Sequence, residues 1–379
     1  MPLLDTICIV VCALLLVLSL MSVLSDTFVR KIKLSTSKAD SEQKAVSVVL
    51  VSYNNAEELS NNLDVFLSQD YPAGYEVIVA VIKDEDGTKD VLKSFSGHKN
   101  LRFTFVPDTS RYVSRHKLAV TLGVKASENE HVLITDAKCS PVSDKWISNM
   151  MSSCGDDTDM VLGVTTYDEN TKPLRRFIQT HKQYSLLREA SVGAPYALWG
   201  NNLMIRKSLF MRNAGFQDNL KYIRGEYDFI VNSYSVDAKV AVNVSREGCL
   251  VEAEPSRKEW QNKNMYYMET RRHLSGSFSH RAKFNLDMLS LYLSLLLSIA
   301  AIVFEVLLQQ WLYIPVAVIS FVVPIVFRIR SAQGAMSAMS SKVPSWKIVP
   351  FELLIMLVNL VYMVRYKMSD KIEFISHKI

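Results

Sequence analysis

Cysteine is scarce in this chain and poorly placed for chemistry. Five occur among 379 residues, two in an apolar stretch (Cys8, Cys12) and three scattered (Cys139, Cys154, Cys249), with no CxxC pair. An odd set without metal-ligand spacing excludes a disulfide framework and suits a reducing compartment. The seven histidines show no HExxH spacing, and neither Ser52 nor Cys139 has a histidine at a recognisable interval, which argues against a hydrolase. Charge is nearly balanced, at a net +5. That excess suits a surface near anionic lipid or a phosphorylated substrate, and gives no reason to expect nucleic acid as a partner. Internal repeats and low-complexity tracts are lacking. Disorder is excluded, because 49% of the residues are hydrophobic and such a chain can bury a core.

The apolar residues collect at the two ends. Residues 7–24 carry no charge and are about long enough to cross a bilayer as a helix. The stretch before them has Asp5 but no Lys or Arg, and no small-residue cleavage site follows, unlike a secretory signal. Arg30, Lys31 and Lys33 come next, so the positive-inside rule puts the N-terminus outside and the following domain in the cytoplasm. Near the C-terminus, residues 286–308 (with Asp287 and Glu305) and 311–327 read as a helical hairpin. Basic residues flank that hairpin on both sides, Arg271, Arg272, Arg281 and Lys283 before it and Arg328 and Arg330 after it. A last apolar segment, 348–364 with Glu352, is bordered by basic residues at both ends, and either spans or lies in the interface. Residues 331–341, rich in small side chains, read as a connecting loop or loose helix. The expected organisation is an N-terminal transmembrane anchor (1–28), a central domain (44–275) and a C-terminal transmembrane region (284–379) with two or three helices. So few charges within the apolar segments argue against a transporter or channel.

The central domain alternates strand and helix signals. Residues 46–51 and 77–82 are buried-strand runs, 101–106 alternates, and 131–135 is a fourth strand; 56–68 and 114–126 have helical spacing. This is the α/β pattern of βαβ units on a parallel sheet, in which ligands bind beyond the C-terminal ends of the strands. The residues there are polar: Tyr53 and Asn54 after the first strand, Asp84 and Asp86 after the second, Asp136 and Lys138 after the fourth.

Four stretches in order carry a resemblance: VSVVLVSYNNAEELSNNLDVFLSQDYP (46–72), EVIVAVIKDEDGT (76–88), LITDAKCSPVSDKW (133–146), and GNNLMIRKSLF, GF and GEYDFIVN (200–232). Together they resemble the family 2 glycosyltransferases of the GT-A (Rossmann-like) fold, and the flanking apolar segments resemble its membrane-bound bacterial members. The resemblance implies inverting transfer from a nucleotide-diphosphate sugar to a lipid-linked or cell-envelope glycan acceptor, at the cytoplasmic face of the inner membrane, with membrane lipid as a neighbour. It implies Tyr53, Asn54, Asp84, Asp86, Lys117, Asp136 and Lys138 on the donor side. Trp199, Asn201, Asn202 and Trp260 fall on the acceptor side, and Glu226 is the base, with Asp228 in reserve.

Three departures accompany the resemblance. The family's D-x-D triplet, which holds Mg²⁺ or Mn²⁺, is here Asp136-Ala137-Lys138. Asp136 remains as a metal ligand, while Lys138 replaces the second acid and offers its own charge to the phosphates. Only one of Glu226 and Asp228 can face the site, because residues two apart on a helix do not share a face. The family's membrane-proximal W-x-x-Q-x-x-R-W motif is here Trp260 followed by Lys263, Asn264 and Tyr266. Trp260, Tyr266, Tyr267, Arg271 and Arg272 read better as an interfacial belt than as diphosphate ligands. Since the departures coincide while the fold-forming residues stay, a catalytically degenerate nucleotide-sugar-binding or partner subunit is the alternative.

Overall fold

The computed structural model describes residues 3–34, 44–107 and 114–374. The outermost residues of the two expected membrane regions, 1–2 and 375–379, lie outside it. The chain runs α1 (Leu3–Ser25), β1 (Val46–Tyr53), α2 (Ala56–Leu67), β2 (Tyr75–Lys83), α3 (Thr88–Ser94), β3 (Leu101–Phe105), α4 (Arg115–Ala126) and β4 (His131–Asp136). It continues through β5 (Cys139–Pro141), α5 (Trp146–Ser152), β6 (Met160–Leu162), β7 (Thr165–Tyr167), α6 (Pro173–Ser191), β8 (Leu203–Arg206), α7 (Lys207–Arg212), α8 (Glu226–Tyr234), β9 (Val240–Val242) and β10 (Leu250–Glu252). Four helices close the chain: α9 (Arg257–Thr270), α10 (Ser277–Leu307), α11 (Ile314–Ala338) and α12 (Ile348–Met368). The chain divides into two compact units. One contains α1, α10, α11 and α12 as far as Leu360; the other contains the sheets, with 338–341 and the chain from Val361 onward.

In the sheet unit, seven strands lie in the order β3-β2-β1-β4-β8-β6-β9. The β-branched run of β1 is buried almost throughout, as are β2 and β4, because helices cover both faces. The alternating β3 sits at the edge. These four strands are parallel, as their sequence predicts. Beyond them the sheet is mixed, which corrects the wholly parallel expectation: β8 pairs antiparallel with both β4 and β6. A second sheet, β5-β10-β7, sits beside the end of β4. Its strands have three residues each, too few to leave a periodic signal. Gly123 lets α4 lie against β1, since a Cβ there would come within 2.3 Å of Val49 Cγ1.

The other unit is a helical bundle. Among the described residues, four helices, Leu3–Ser25, Ser277–Leu307, Ile314–Ala338 and Ser345–Met368, are long and apolar enough to cross a membrane. Leu15, Ala301 and Ala317 form one contact among them, and Leu291, Leu295 and Val349 another. The segment read as a loop or loose helix is helical to Ala338, so Arg328 lies inside α11. Its side chain is fully buried and draws the bundle together. Nη2 donates to Asp287 Oδ1 at 2.6 Å and to the Ser22 carbonyl at 2.8 Å, and Nη1 to Glu352 Oε2 at 3.2 Å. Asp26 Oδ1 stands 3.8 Å from Nη1.

Removing one partner of a buried ion network leaves the others uncompensated, at about 3–5 kcal/mol. Arg328→Leu should therefore lower the melting temperature of the detergent-solubilised protein sharply, whereas Arg330→Leu, at an exposed position, should not. An Arg328→Leu protein that melts with wild type would contradict this role.

Candidate active site

The turns after β1 and β2 form one wall. Asn54 adopts a left-handed conformation (φ 48°), tolerated by a short polar side chain, and its Oδ1 accepts the Glu85 N–H at 3.4 Å. Asp86 ties the two turns together, accepting the Ala56 N–H at 2.7 Å and the Thr88 hydroxyl at 2.7 Å. Asp84 accepts the Lys89 N–H at 3.0 Å. Tyr53 is exposed, its ring 5.9 Å from that of His116 on α4.

The end of β4 supplies the second wall. Asp136 is half-buried and accepts the Lys138 N–H at 3.3 Å. Burial raises its carboxyl above the usual range, opposed by the Lys138 charge. The Lys138 ammonium lies 3.2 Å from Glu252 Oε1 on β10, and Lys263 Nζ on α9 lies 3.7 Å from the other oxygen. Lys263 also donates to Tyr167 Oη at 2.9 Å and Gln179 Oε1 at 3.3 Å. The charge of Glu252 holds the Lys138 ammonium well above the ordinary lysine range. Burial raises the Glu252 carboxyl, but the two lysines outweigh it and keep it low.

The third wall is the start of α8. Gly225, at φ 90°, turns the chain into the helix, and a Cβ there would sit 2.6 Å from Thr270 Cγ2. Glu226 follows, 5% exposed. Its Oε1 is 3.3 Å from Arg224 Nη2 and 3.8 Å from His116 Nδ1. Burial holds His116 well below its ordinary value, helped by Arg224 and Lys138, so the imidazole is neutral at pH 7 and Arg224 is the charged partner. Among the described residues, Glu226 Oε2 has no hydrogen-bond partner. Tyr227 lies near both Asp136 and Glu226: after burial, these carboxylates push its phenol well above its usual value. Asp228 is placed elsewhere. Its Oδ1 accepts the Leu198 N–H at 3.3 Å, and burial pushes its carboxyl up to about 7.

Several expected site residues have other work. Lys117 is fully buried and braces a turn, donating to the carbonyls of Asn219 (2.6 Å) and Tyr222 (2.8 Å). Its ammonium is thus occupied by these two carbonyls. Asn202 is also fully buried, its amide joining Val164 and Gly248 carbonyls to the Trp146 indole. Asn201 is more open, donating to Cys139 Sγ at 3.7 Å. Trp199 packs edge-on against Tyr267 at 4.9 Å, with Lys182 Nζ 4.2 Å from its ring centroid. Trp260, expected in an interfacial belt, is 6% exposed. It packs on Tyr167, because the capping box of Ser256 and Glu259 starts α9 with that face inward.

Glu252, Lys263 and Tyr167 were not singled out as site residues from the sequence. An acid at the end of the apolar run Cys249-Leu250-Val251 was the available signal for Glu252. A divalent ion wants several hard oxygen ligands. Asp136 offers one carboxylate, the paired position is an ammonium, and no group of three or more metal-ligating side chains occurs among the described residues. The side chains at this site do not fit the two-acid metal set.

Gly225→Ala should cost about 1–3 kcal/mol, from the left-handed φ and the overlap with Thr270. Thermal unfolding checks this, and an unchanged midpoint would contradict the tight approach.

Residues 47–212 match the sequence model of the family described as Glycosyl transferase family 2. Glycosyltransferase AglE of Haloferax volcanii is 31% identical over 122 residues; the alignment takes in 31% of this chain and 38% of that relative, so it spans well under half the relative's length. The mannosyltransferase PcManGT from Pyrobaculum calidifontis, solved in complex with GDP-Man and Mn²⁺, shares the fold with a TM-score of 0.54 at 17% identity, over 97% of this chain and 98% of that one. Residues 47–212 thus carry a domain that matches glycosyl transferase family 2, on an α/β scaffold that shares the GT-A fold.

Proposed function

We propose that this chain transfers a sugar, with inversion, from a nucleotide-diphosphate sugar to a lipid-linked or cell-envelope glycan acceptor at the cytoplasmic face of the membrane. Two electrostatic demands define such a reaction. The leaving diphosphate must be neutralised, and the acceptor hydroxyl must lose its proton as it attacks the anomeric carbon.

The observation that carries the reading is Glu226. At the start of α8 it is a buried acid with one oxygen left unpartnered, while its other oxygen is oriented by Arg224. An oxygen so placed can accept a proton, and the Arg224 contact fixes the carboxylate for attack geometry. The neutral His116 beside it adds no competing positive charge. Asp228, engaged with the Leu198 backbone, is a positioning residue for the Trp199 segment and not the base. Tyr53, Asn54, Asp84 and Asp86 would receive the nucleoside, and Asp136 and Lys138 the diphosphate. Trp199 and Asn201 would face the acceptor. No step is assigned to a metal ion.

The membrane reading rests on the four apolar helices and on Arg30, Lys31 and Lys33 directly after the first, which favour a cytoplasmic domain.

The test is transfer by purified full-length protein across UDP- and GDP-sugars, beginning with GDP-mannose. Glu226→Gln should lower turnover by about 10²–10⁴-fold with nucleotide binding retained. Asp228→Asn should keep turnover within about tenfold of wild type, since it removes no proton acceptor. Equal losses in both variants would contradict the assignment of the base. Intact nucleotide binding with no turnover of any donor would instead identify a non-catalytic partner subunit.

A further inference from the structure

Lys138 stands where the family has the second acid of its triplet, and its surroundings hold it there. Its ammonium is 3.2 Å from Glu252 Oε1. Glu252 is 3% exposed and shared with Lys263, whose own ammonium is anchored by Tyr167 and Gln179. The backbone register sets Glu252 opposite Cys139 on one side and Tyr167 on the other, so the small sheet fixes the carboxylate. The Lys138 side chain is 26% exposed against 4% for Glu252, which leaves the ammonium as the accessible end of the chain of charges.

Charge balance shows what this exchange achieves. Two carboxylates and a divalent cation sum to zero. Asp136 and Lys138 sum to zero by themselves. A divalent ion on Asp136 would meet an ammonium where it needs a hard oxygen, with Arg224 close enough to act on the same carboxyl; like charges at such range repel. A fixed ammonium, by contrast, is a good partner for phosphate oxygens.

We infer that the donor diphosphate is held by Lys138, braced through Glu252 and Lys263, and that donor binding needs no divalent metal ion. The inference rests on the donor-site reading proposed above.

The experiment is calorimetric titration of the full chain, in lipid nanodiscs, with GDP and with UDP, in chelator and in Mg²⁺ or Mn²⁺. Wild-type affinity for the diphosphate that binds should change by less than about threefold between chelator and metal, since no ion bridges it. Lys138→Met should lose about tenfold or more in every buffer, and Lys138→Arg should keep most of the affinity, since its charge remains. Lys138→Asp restores the two-acid triplet, so it should bind poorly in chelator and recover with Mn²⁺. Wild-type binding abolished by chelator and restored by Mn²⁺ would overturn the inference and leave the donor site standing. Failure of both diphosphates to bind wild type under every condition would overturn the donor-site reading along with it.

Discussion

The buried ion chain Lys138–Glu252–Lys263 is the constraint on which the site depends. It links the turn after β4 to the strand β10 and the helix α9, which lie more than a hundred residues further along the chain. Buried charges of this kind are costly unless each is paired and hydrogen-bonded. Here the central carboxylate has one lysine 3.2 Å from Oε1 and another 3.7 Å from Oε2, an ion pair without a hydrogen bond, and that second lysine has two acceptors of its own. The arrangement orders Lys138 before any ligand arrives, which reduces the side-chain entropy lost on binding.

Around that chain the scaffold follows from simple rules. Parallel strands buried on both faces end together, and their turns make a polar rim. Asp86 joins two of those turns, and Gly225 admits the sharp entry to α8 that presents Glu226. Glu226 and Asp228 diverge because of helix geometry, one toward Arg224 and His116, the other toward the Leu198 backbone. The two acids therefore have separate environments, and of the two only Glu226 has a fully buried oxygen without a partner. In the helical unit the same physics recurs, with Arg328 buried among acids from other helices.

Much of this was legible in the sequence. The four parallel strands and the helices α2 and α4 follow from long β-branched runs and helical spacing, and the apolar helices from length and composition. Tyr53, Asn54, Asp86 and Asp136 stood out because they follow strands, where this architecture exposes side chains, and Glu226 through the resemblance of its helix start to the family. What escaped depends on tertiary contact. The three-residue strands β5, β7 and β10 have no period, so the second sheet was invisible, and only the short apolar run before it marked Glu252. Lys263 registered only as a deviation from a motif. Lys117 and Asn202 look like site residues by position, yet burial consumes their polar groups internally. The burial of Arg328 among acids distant in sequence was likewise out of reach of the sequence.

The central claim is that Glu252 holds Lys138 for the donor. A double-mutant cycle on nucleoside diphosphate affinity tests it most directly, using Lys138→Met, Glu252→Gln and the double variant. If Glu252 acts through Lys138, the two losses will be strongly non-additive, with a coupling of about 1 kcal/mol or more. Losses that simply add would show that the two side chains act independently and would contradict the account.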